Sequence, residues 1–218
     1  MAETRNPSRR RDDGRRTQLI QAAARVIARD GIAAATVRRI TEEAGVPGSL
    51  VHYWFADKDE LLEEVLLADL DAISTAVAEA ADTGAAGGGA AGGGDDLLDR
   101  LRAAFHVIEQ DDRGRQILPY ELTTWALRKP EFVHVARKQY AAYRELGTRT
   151  ISSWTNATGV QLPADVPVVG QFITALFDGL VLAWLADPDN TDVDAVLRLA
   201  HDLLKPSVPD TPETSDVS

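Results

Sequence analysis

Apolar residues recur along this chain with the spacing of an α-helix. Within residues 14–30, Ile20, Ala23 and Ile27 fall on one helical face, and Gly31 is placed to end the helix in a left-handed conformation. No stretch alternates apolar and polar residues between hairpin turns, as the strands of a sheet would. The pattern therefore predicts an all-α protein.

Two short helices follow, separated by a tight turn. Thr36 is the expected N-cap of a helix over residues 37–44, Gly45 breaks that helix, and a third helix is predicted over residues 48–55. The positions that must be apolar for two such helices to pack at a steep angle are Val37, Ile40, Ala44, Val46, Val51 and Trp54. This spacing predicts a helix-turn-helix within an N-terminal three-helix bundle.

A larger helical domain is expected after the bundle. Asp57 and Glu60 resemble a capping box, and the helix that they open is predicted to reach about residue 81. Further helices are predicted from about residue 95, and over 113–128, 130–157, 165–187 and 192–204. The predicted organisation is a flexible basic arm at 1–13, a helix-turn-helix domain at 14–56, a helical domain at 57–205 with a flexible Gly/Ala-rich loop at 83–94, and a disordered tail at 206–218.

Charge is distributed unevenly between these domains. The chain has a net charge of −11, yet residues 1–56 contain ten Arg and no Lys against six acidic residues. That gives +4 for this segment and leaves −15 for the rest. A basic nucleic-acid-binding domain on an acidic body explains this asymmetry, and a chance fluctuation explains it equally well.

The third helix is expected to present one face to DNA. Gly48 and Ser49 point outward and so do His52 and Tyr53, while the residues between and after them point toward the first two helices. This leaves a small, polar and aromatic face for a major groove. The alternative is a compact bundle whose surface has no function.

Each exposed residue has an expected role at DNA. Thr36, with the free N–H groups of the second helix, and Lys58 are expected to meet phosphates. Gly48 and Ser49 allow the backbone to approach base edges. The other expected contacts are His52 and Tyr53 at phosphate oxygens, Tyr53 also at a thymine methyl group, and Arg38 and Arg39 beside the flanking backbone.

The segment from Arg15 to Leu62 strongly resembles the N-terminal domain of the TetR family of bacterial transcription regulators. The stretches AATVRRI, EEAGV, HYWF and KDELL carry the match. The resemblance implies a dimeric, ligand-responsive repressor with an all-helical body. By position, its DNA contacts would fall on Thr36, Pro47 to Ser49, Tyr53 and Lys58. Thr41, His52 and Gly48 depart from the family's usual residues, which leaves the operator sequence open.

A homodimer is also expected. Residues 166–186 are apolar nearly all round and must be covered on more than one side. With the last helix they resemble the family's two-helix dimer face, which doubles into a four-helix bundle. The expected interface residues are Phe172, Ile173, Leu176, Leu180, Trp184, Val196, Leu199 and Leu203. The alternative is that these residues are simply the core of the body.

The remaining body helices are expected to enclose an effector. The candidate ligand contacts mix aromatic area with a few polar groups, and they are Phe105, His106, Tyr120, Glu121, Trp125, Tyr140, Tyr143 and Trp154. A buried Glu121 among aromatic rings would suit a cationic, lipophilic effector.

Other classes of protein are not supported. The chain has no cysteine, which excludes disulfides, zinc-thiolate sites and cysteine nucleophiles and fits a cytoplasmic location. Its four histidines are far apart in sequence, and no HExxH motif, serine elbow or phosphate-binding glycine loop is present. No enzyme activity, cofactor or metal is predicted. The first sixteen residues lack a signal core, and Asp178 within the longest apolar run disfavours a membrane span.

The sequence thus predicts a repressor that a small-molecule effector releases from a palindromic operator in double-stranded DNA. The alternative is a DNA-binding regulator without a small-molecule ligand, which answers to a protein partner or acts constitutively.

Overall fold

The computed structural model of the protein describes residues 7–86 and 97–204. Within these two stretches the backbone is α-helical apart from short connections and two 3₁₀ turns, Ile32–Ala34 and Pro130–Phe132, and it contains no β-strand. This confirms the predicted all-α fold. The helices are α1 (Pro7–Asp30), α2 (Val37–Ala44), α3 (Ser49–Trp54), α4 (Lys58–Ala86), α5 (Leu97–Glu109), α6 (Arg113–Leu127), α7 (Val133–Thr158), α8 (Val166–Ala186) and α9 (Val193–Leu204).

The first helix begins earlier than its apolar pattern indicates. α1 starts at Pro7 rather than at Gly14, so the prediction of a flexible arm is wrong for residues 7–13. Proline is favoured at the first helical position because its missing N–H is not needed there. Residues 8–13 are polar, so the spacing of apolar residues does not indicate this part of the helix. Residues 1–6 lie outside the described part of the chain.

α2 and α3 form the predicted helix-turn-helix. The Thr36 hydroxyl caps α2 by accepting a hydrogen bond from the Arg39 backbone N–H at 3.3 Å. Gly45 ends α2 with φ 65°, a left-handed conformation that glycine adopts without strain. Ile40 and Val51 are buried in the same apolar core as residues of α1. We call α1 to α3 the head and α5 to α9 the body.

α4 connects the head to the body. It has 29 residues and is therefore about 44 Å long. Leu61, Leu62 and Val65 near its start are buried in the core of the head. α4 continues through residues 83–86, so the prediction of a loop is wrong for these four residues. Residues 87–94 of the predicted loop and the predicted tail lie outside the described residues.

The core of the head extends across the predicted domain boundary at residue 57. It includes Leu118 and Leu122 of α6. At the start of α6, Gly114 packs so closely on α1 that a Cβ atom there would lie 1.9 Å from the Ala28 carbonyl oxygen. The head is thus attached to the body along α6 as well as through α4.

The body is held together by a close crossing of α7 and α8. A Cβ atom on Gly147 would lie 2.6 Å from the Gly170 carbonyl oxygen, and one on Gly170 would lie 2.7 Å from the Thr148 nitrogen. Both positions therefore require glycine. By length and composition alone, α8 could cross a membrane. Core helices of soluble proteins also meet that criterion, and the packing of α8 on α7 covers one side of this helix.

Candidate functional site

The exposed face of α3 carries small, polar and aromatic side chains. Ser49, His52 and Tyr53 are exposed, and Tyr53 exposes 68% of its surface. Beneath them Val51 is buried and Trp54 is partly buried, which confirms the predicted alternation along the helix. The Tyr53 ring contacts the Trp54 ring edge-on, with 4.8 Å between ring centroids. A rigid aromatic side chain is therefore held at the surface of the head.

The residues around α3 do not obstruct access to its exposed face. Pro47 and Gly48 are exposed, and a Cβ atom on Gly48 would meet no atom within 4 Å. Thr36 is exposed at the start of α2, where the first N–H groups of a helix attract anions. Lys58 opens α4 partly exposed, and its ammonium group forms no ion pair with the described residues. These side chains are accessible to a partner.

The predicted arginine contacts already have carboxylate partners. The Arg38 guanidinium lies 3.5 Å from the exposed Glu42 carboxylate, and Arg39 donates a hydrogen bond to Asp30 at 2.8 Å. Exposed ion pairs of this kind stabilise a protein by no more than about 1 kcal/mol. A phosphate group can therefore compete for either guanidinium.

Part of the basic excess of the N-terminal segment is neutralised between α1 and α2. Arg25 and Arg29 donate hydrogen bonds to the Glu43 carboxylate at 2.8 and 3.0 Å. These hydrogen bonds lower the pKa of Glu43. Fewer arginines of this segment are therefore free to bind a partner than the number of arginines in its sequence suggests.

A cavity of ≈ 310 Å³ lies in the body, and residues of α4, α5, α6, α7 and α8 line it. Its size suits a small organic ligand. Much of its wall is apolar, with Val77 from α4, Ala104 from α5 and Phe177 from α8. Three tyrosines and Asp178 line the cavity from α6, α7 and α8.

Three of the predicted ligand contacts line this cavity: Tyr120, Tyr140 and Tyr143. The Tyr140 hydroxyl donates to the Asp178 carboxylate at 2.5 Å, and the Tyr120 hydroxyl donates to the Asp178 carbonyl oxygen at 3.4 Å. The rings of Tyr140 and Tyr143 meet edge to face, 5.9 Å apart. Burial raises the pKa of all three hydroxyls, that of Tyr143 to about 12, so they are neutral at physiological pH.

Three other predicted ligand contacts lie outside the cavity lining. Phe105 and Trp154 are buried in the core of the body, where the Phe105 ring lies 5.7 Å from the Trp184 ring. His106 is exposed on α5, with its ring nitrogen 3.3 Å from the Glu109 carboxylate. Aromatic residues at helical spacing belong to a core as readily as to a pocket, and the spacing alone does not separate the two.

Glu121 and Trp125 also lie outside the cavity lining, on the side of α6 that faces the head. The Glu121 carboxylate accepts a hydrogen bond from the Ile32 backbone N–H at 2.6 Å. The Trp125 ring packs on Phe132, with 5.0 Å between centroids, against the core of the head. The expectation that Glu121 faces a cationic effector is therefore corrected, because this carboxylate binds the backbone of the head instead.

The cavity contains charged residues that the sequence analysis missed. Asp69 exposes 8% of its surface, and burial raises its pKa to about 6 although the Arg115 guanidinium lies 3.2 Å away. Asp178 and Arg100 also line the cavity. Asp69 and Asp178 interrupt apolar stretches of α4 and α8 in sequence, which is the signal that could have found them. Among the described residues, no cluster of His, Asp or Glu could hold a metal ion.

Comparison with known proteins decides the family. Residues 19–65 match the family model of bacterial regulatory proteins of the tetR family, and residues 92–206, more than half of the chain, match the tetracyclin repressor-like C-terminal domain. The chain belongs to the TetR family. This confirms the resemblance inferred from Arg15 to Leu62.

Similar proteins cover most of this TetR-family chain. The nicotine-responsive transcriptional repressor HdnoR of Paenarthrobacter nicotinovorans is 28% identical over 178 residues, which are 81% of this chain and 86% of HdnoR. The transcriptional regulator BetI of Paraburkholderia phytofirmans is 28% identical over 197 residues, 87% of this chain and 91% of BetI. The solved structure of the multidrug binding protein EbrR in complex with imidazole has a TM-score of 0.65 at 25% identity, over 90% of this chain and 98% of EbrR. The chain is thus a DNA-binding transcription regulator and not an enzyme.

An apolar face of α8 and α9 is exposed in the single TetR-family chain. Phe172 exposes 42% of its surface, and Leu199 and Leu203 expose 60% each. The exposed residues of this face are Val168, Phe172, Ala175, Gly179 and Leu182 on α8 and Leu199 and Leu203 on α9. Large apolar side chains exposed together usually mark a protein interface.

The expected interface residues divide between two faces of α8 and α9. Ile173 and Leu180 are buried within the chain, and their assignment to a surface is corrected. Leu176, Trp184 and Val196 are partly buried and pack against the core of the body. Because α8 is apolar nearly all round, its sequence does not show which side faces its own chain.

Proposed function

We propose that this protein is a cytoplasmic homodimeric repressor that binds a palindromic operator through α3 and is released when a small molecule occupies the body cavity. The observation that carries the proposal is the position of α6. One side of this helix contacts the head, and the other side lines the cavity through Gln116, Tyr120 and Thr123. A ligand that moves α6 would therefore also move the head.

Ser49, His52 and Tyr53 are the residues proposed to enter the major groove. Their exposure on one face of α3, above a buried base of Val51, supports this role. Thr36 and Lys58 would meet phosphates, and Pro47 and Gly48 would let the backbone approach the bases. Arg38 and Arg39 would also contact phosphates, each by exchanging its carboxylate partner for a phosphate group.

The apolar face of α8 and α9 would form the dimer. Two copies of this face, packed about a twofold axis, would bury Phe172, Leu199 and Leu203 in a four-helix bundle. Leu176, Trp184 and Val196, which are partly exposed, would lie at its margin. A palindromic operator requires the two α3 helices to lie about one DNA turn, roughly 34 Å, apart.

The contact between head and body supports the proposed transmission of ligand binding. Gly114 lies against the Ala28 backbone, and Glu121 accepts the Ile32 N–H. The Lys129 ammonium pairs with Asp59 at the start of α4. An effector lowers DNA affinity only if it binds better to a body conformation that holds the heads at the wrong spacing. These contacts would couple α6 to that spacing.

A small-molecule effector is favoured over a regulator that has no ligand. The cavity volume of ≈ 310 Å³ and its mixed aromatic and polar wall support this choice. The similar proteins HdnoR, a nicotine-responsive repressor, and EbrR, a multidrug binding protein, agree with this choice. A thermal-shift screen against a metabolite library tests it, because a protein-partnered or constitutive regulator would show no stabilising compound.

The DNA-binding proposal is tested by selecting bound duplexes from a random pool with the purified full-length chain. We expect an inverted repeat, with an affinity that falls linearly in a plot of log K against log salt. Tyr53→Ala should weaken binding by about tenfold or more, since one groove contact is worth about 1–3 kcal/mol. Leu127→Ala, which truncates a similarly exposed side chain on α6, is the matched control. Failure to enrich any duplex, or equal affinities of the two variants, would contradict the proposal.

A further inference from the structure

The tyrosine cluster of the cavity surrounds a carboxylate. Tyr120, Tyr140 and Tyr143 come from α6 and α7, and Asp178 comes from α8. The Tyr140 hydroxyl and Asp178 carboxylate are in hydrogen-bond contact, 2.5 Å apart, and Phe177 also lines the cavity. Asp178 is partly buried, and aromatic rings beside a partly buried negative charge attract organic cations more strongly than neutral molecules.

Asp178 has no cationic partner among the described residues. Its polar contact there is the Tyr140 hydroxyl. The other two carboxylates of the cavity lining are Asp69 and Asp111, and the Arg115 guanidinium lies 3.2 Å from Asp69. Asp69 and Asp178 both lie close enough to Tyr143 to raise its pKa, and because only Asp69 of these two is paired with a cation in the described part of the chain, the tyrosine end of the cavity carries a net negative charge.

The other cationic group of the cavity lies far from this carboxylate. The Arg100 guanidinium donates to Ser153 at 3.4 Å, and Ser153 is thirteen residues beyond Tyr140 on α7. At 1.5 Å per residue, about 20 Å of helix separates the two positions. Arg100 therefore belongs to the opposite end of the cavity, and the stretch between the ends is lined by apolar residues such as Leu101 and Ala104.

From this arrangement we propose that the cavity binds an amphiphilic organic cation, with its tertiary or quaternary ammonium group between Asp178 and the rings of Tyr120, Tyr140 and Tyr143 and its apolar part along α5. This inference names the class of effector and rests on the proposed function of the cavity. Asp178 is thus the carboxylate that would select a positive charge, whereas Glu121 contacts the backbone of the head.

Calorimetric titration of the full-length protein tests the inference with three matched series of probes. These are phenylalkyl-trimethylammonium ions of increasing chain length, hydrocarbons in which a tert-butyl group replaces the trimethylammonium group, and phenylalkanoates of the same lengths. We expect at least one ammonium ion to bind about tenfold more tightly than its hydrocarbon and alkanoate counterparts. Equal binding of all three series, tighter binding of the alkanoates, or no binding of any ammonium ion to the folded protein would overturn the inference.

Substitutions locate the site. Asp178→Asn should weaken ammonium binding about tenfold and leave the hydrocarbon unaffected, because the amide retains the shape and loses the charge. Tyr143→Leu should reduce the preference for the cation over the hydrocarbon. Asp165→Asn removes the same charge from an exposed position at the start of α8 and should change neither affinity. Circular dichroism verifies that each variant is folded, and an unchanged cation preference in Asp178→Asn would contradict the assignment.

Release of the selected operator is measured in a separate experiment. Failure of the proposed effector response can then be distinguished from failure of the proposed cation site. If ammonium ions bind through Asp178 without releasing DNA, the proposed effector response is wrong and the cation site stands. If only neutral or anionic compounds bind and release DNA, the effector response stands and the cation site is wrong.

Discussion

The DNA-binding surface and the cavity of this protein are built in opposite ways. The surface comes from one continuous segment, Thr36 to Lys58, in which each residue's exposure follows from its place on a short helix. The cavity comes from five helices, and its charged residues Asp69 and Asp178 are more than a hundred positions apart in sequence. Local spacing therefore determines the first site, whereas the second depends on how whole helices pack.

The two sites also differ in the environment of their charges. Arg38 and Glu42 are exposed, so water and salt screen their interaction. Asp69 is buried, and burial raises its pKa to about 6. A change of charge should therefore affect mainly DNA affinity at the head and mainly folding stability in the cavity.

The largest effect is expected from breaking the proposed dimer. The double substitution Phe172→Arg and Leu203→Glu places charges on the apolar face and should yield monomers. Because a monomer presents a single α3, operator affinity should fall by about a hundredfold or more. Sedimentation and operator titration measure the two effects. Leu127→Glu, an equally drastic change at an exposed leucine of α6, should leave both unchanged, and a dimeric double variant would refute the assigned face.

A second large effect is expected where α6 meets the head. Gly114→Val forces a side chain into the Ala28 backbone and should destabilise the protein by about 3 kcal/mol. Urea unfolding measures the loss. Gly14→Val is the control, because a Cβ atom at Gly14 meets nothing within 4 Å. Similar stabilities of the two variants would show that α6 is not tightly packed on α1.

Asp69 should make stability depend on pH. Burial raises the pKa of Asp69 from the ordinary 3.8 to about 6. The nearby Arg115 guanidinium opposes this shift, and the Asp111 carboxylate adds to it. Between these values the folded protein keeps a proton that the unfolded chain has lost, so stability falls as the pH rises from about 4 to about 6 and then stays level. Asp69→Asn removes this dependence.

The measurement is urea unfolding at pH 4 and pH 7. The free energy of unfolding of Asp69→Asn, measured relative to the wild type, should be about 2–3 kcal/mol higher at pH 7 than at pH 4, at about 1.4 kcal/mol per pKa unit. Asp71→Asn, an exposed neighbour on α4, should gain nothing. If the difference in unfolding free energy between Asp69→Asn and the wild type is the same at pH 4 and pH 7, the pKa of Asp69 is not raised by folding.

The smallest effect is expected from a single phosphate contact. Lys58→Ala should weaken binding to every duplex by a similar factor and reduce the slope of log K against log salt by about 1. Lys138→Ala removes the same charge from an exposed position of α7 and should leave the slope unchanged. Equal slopes for the two variants would remove Lys58 from the DNA interface.

The sequence predicted what depends on local spacing. Thr36 and Gly45 marked the two ends of α2, and the order of residues along α3 predicted which of them are exposed. The early start of α1 at Pro7 was missed because residues 7–13 lack apolar residues at helical spacing. Helix formation there does not require such a pattern.

The cavity could be predicted only in part. Tyr120, Tyr140 and Tyr143 line it as expected, whereas Phe105 and Trp154 have the same character in sequence and lie in the core. The side of a helix that faces a cavity depends on helix crossings such as the one at Gly147 and Gly170. Those crossings follow from contacts between distant segments, which periodicity does not contain.

The central claim is that ligand in the cavity changes the spacing of the two heads. Because the chain has no cysteine, Glu42→Cys on α2 provides a single spin-label site in each head, and pulsed electron paramagnetic resonance measures the distance between the two labels. We predict one narrow distance with the selected operator, and a distribution displaced by several ångströms when the tightest-binding ammonium ion is added. Identical distributions with and without bound ligand, or the absence of any distance between labels, would contradict the account.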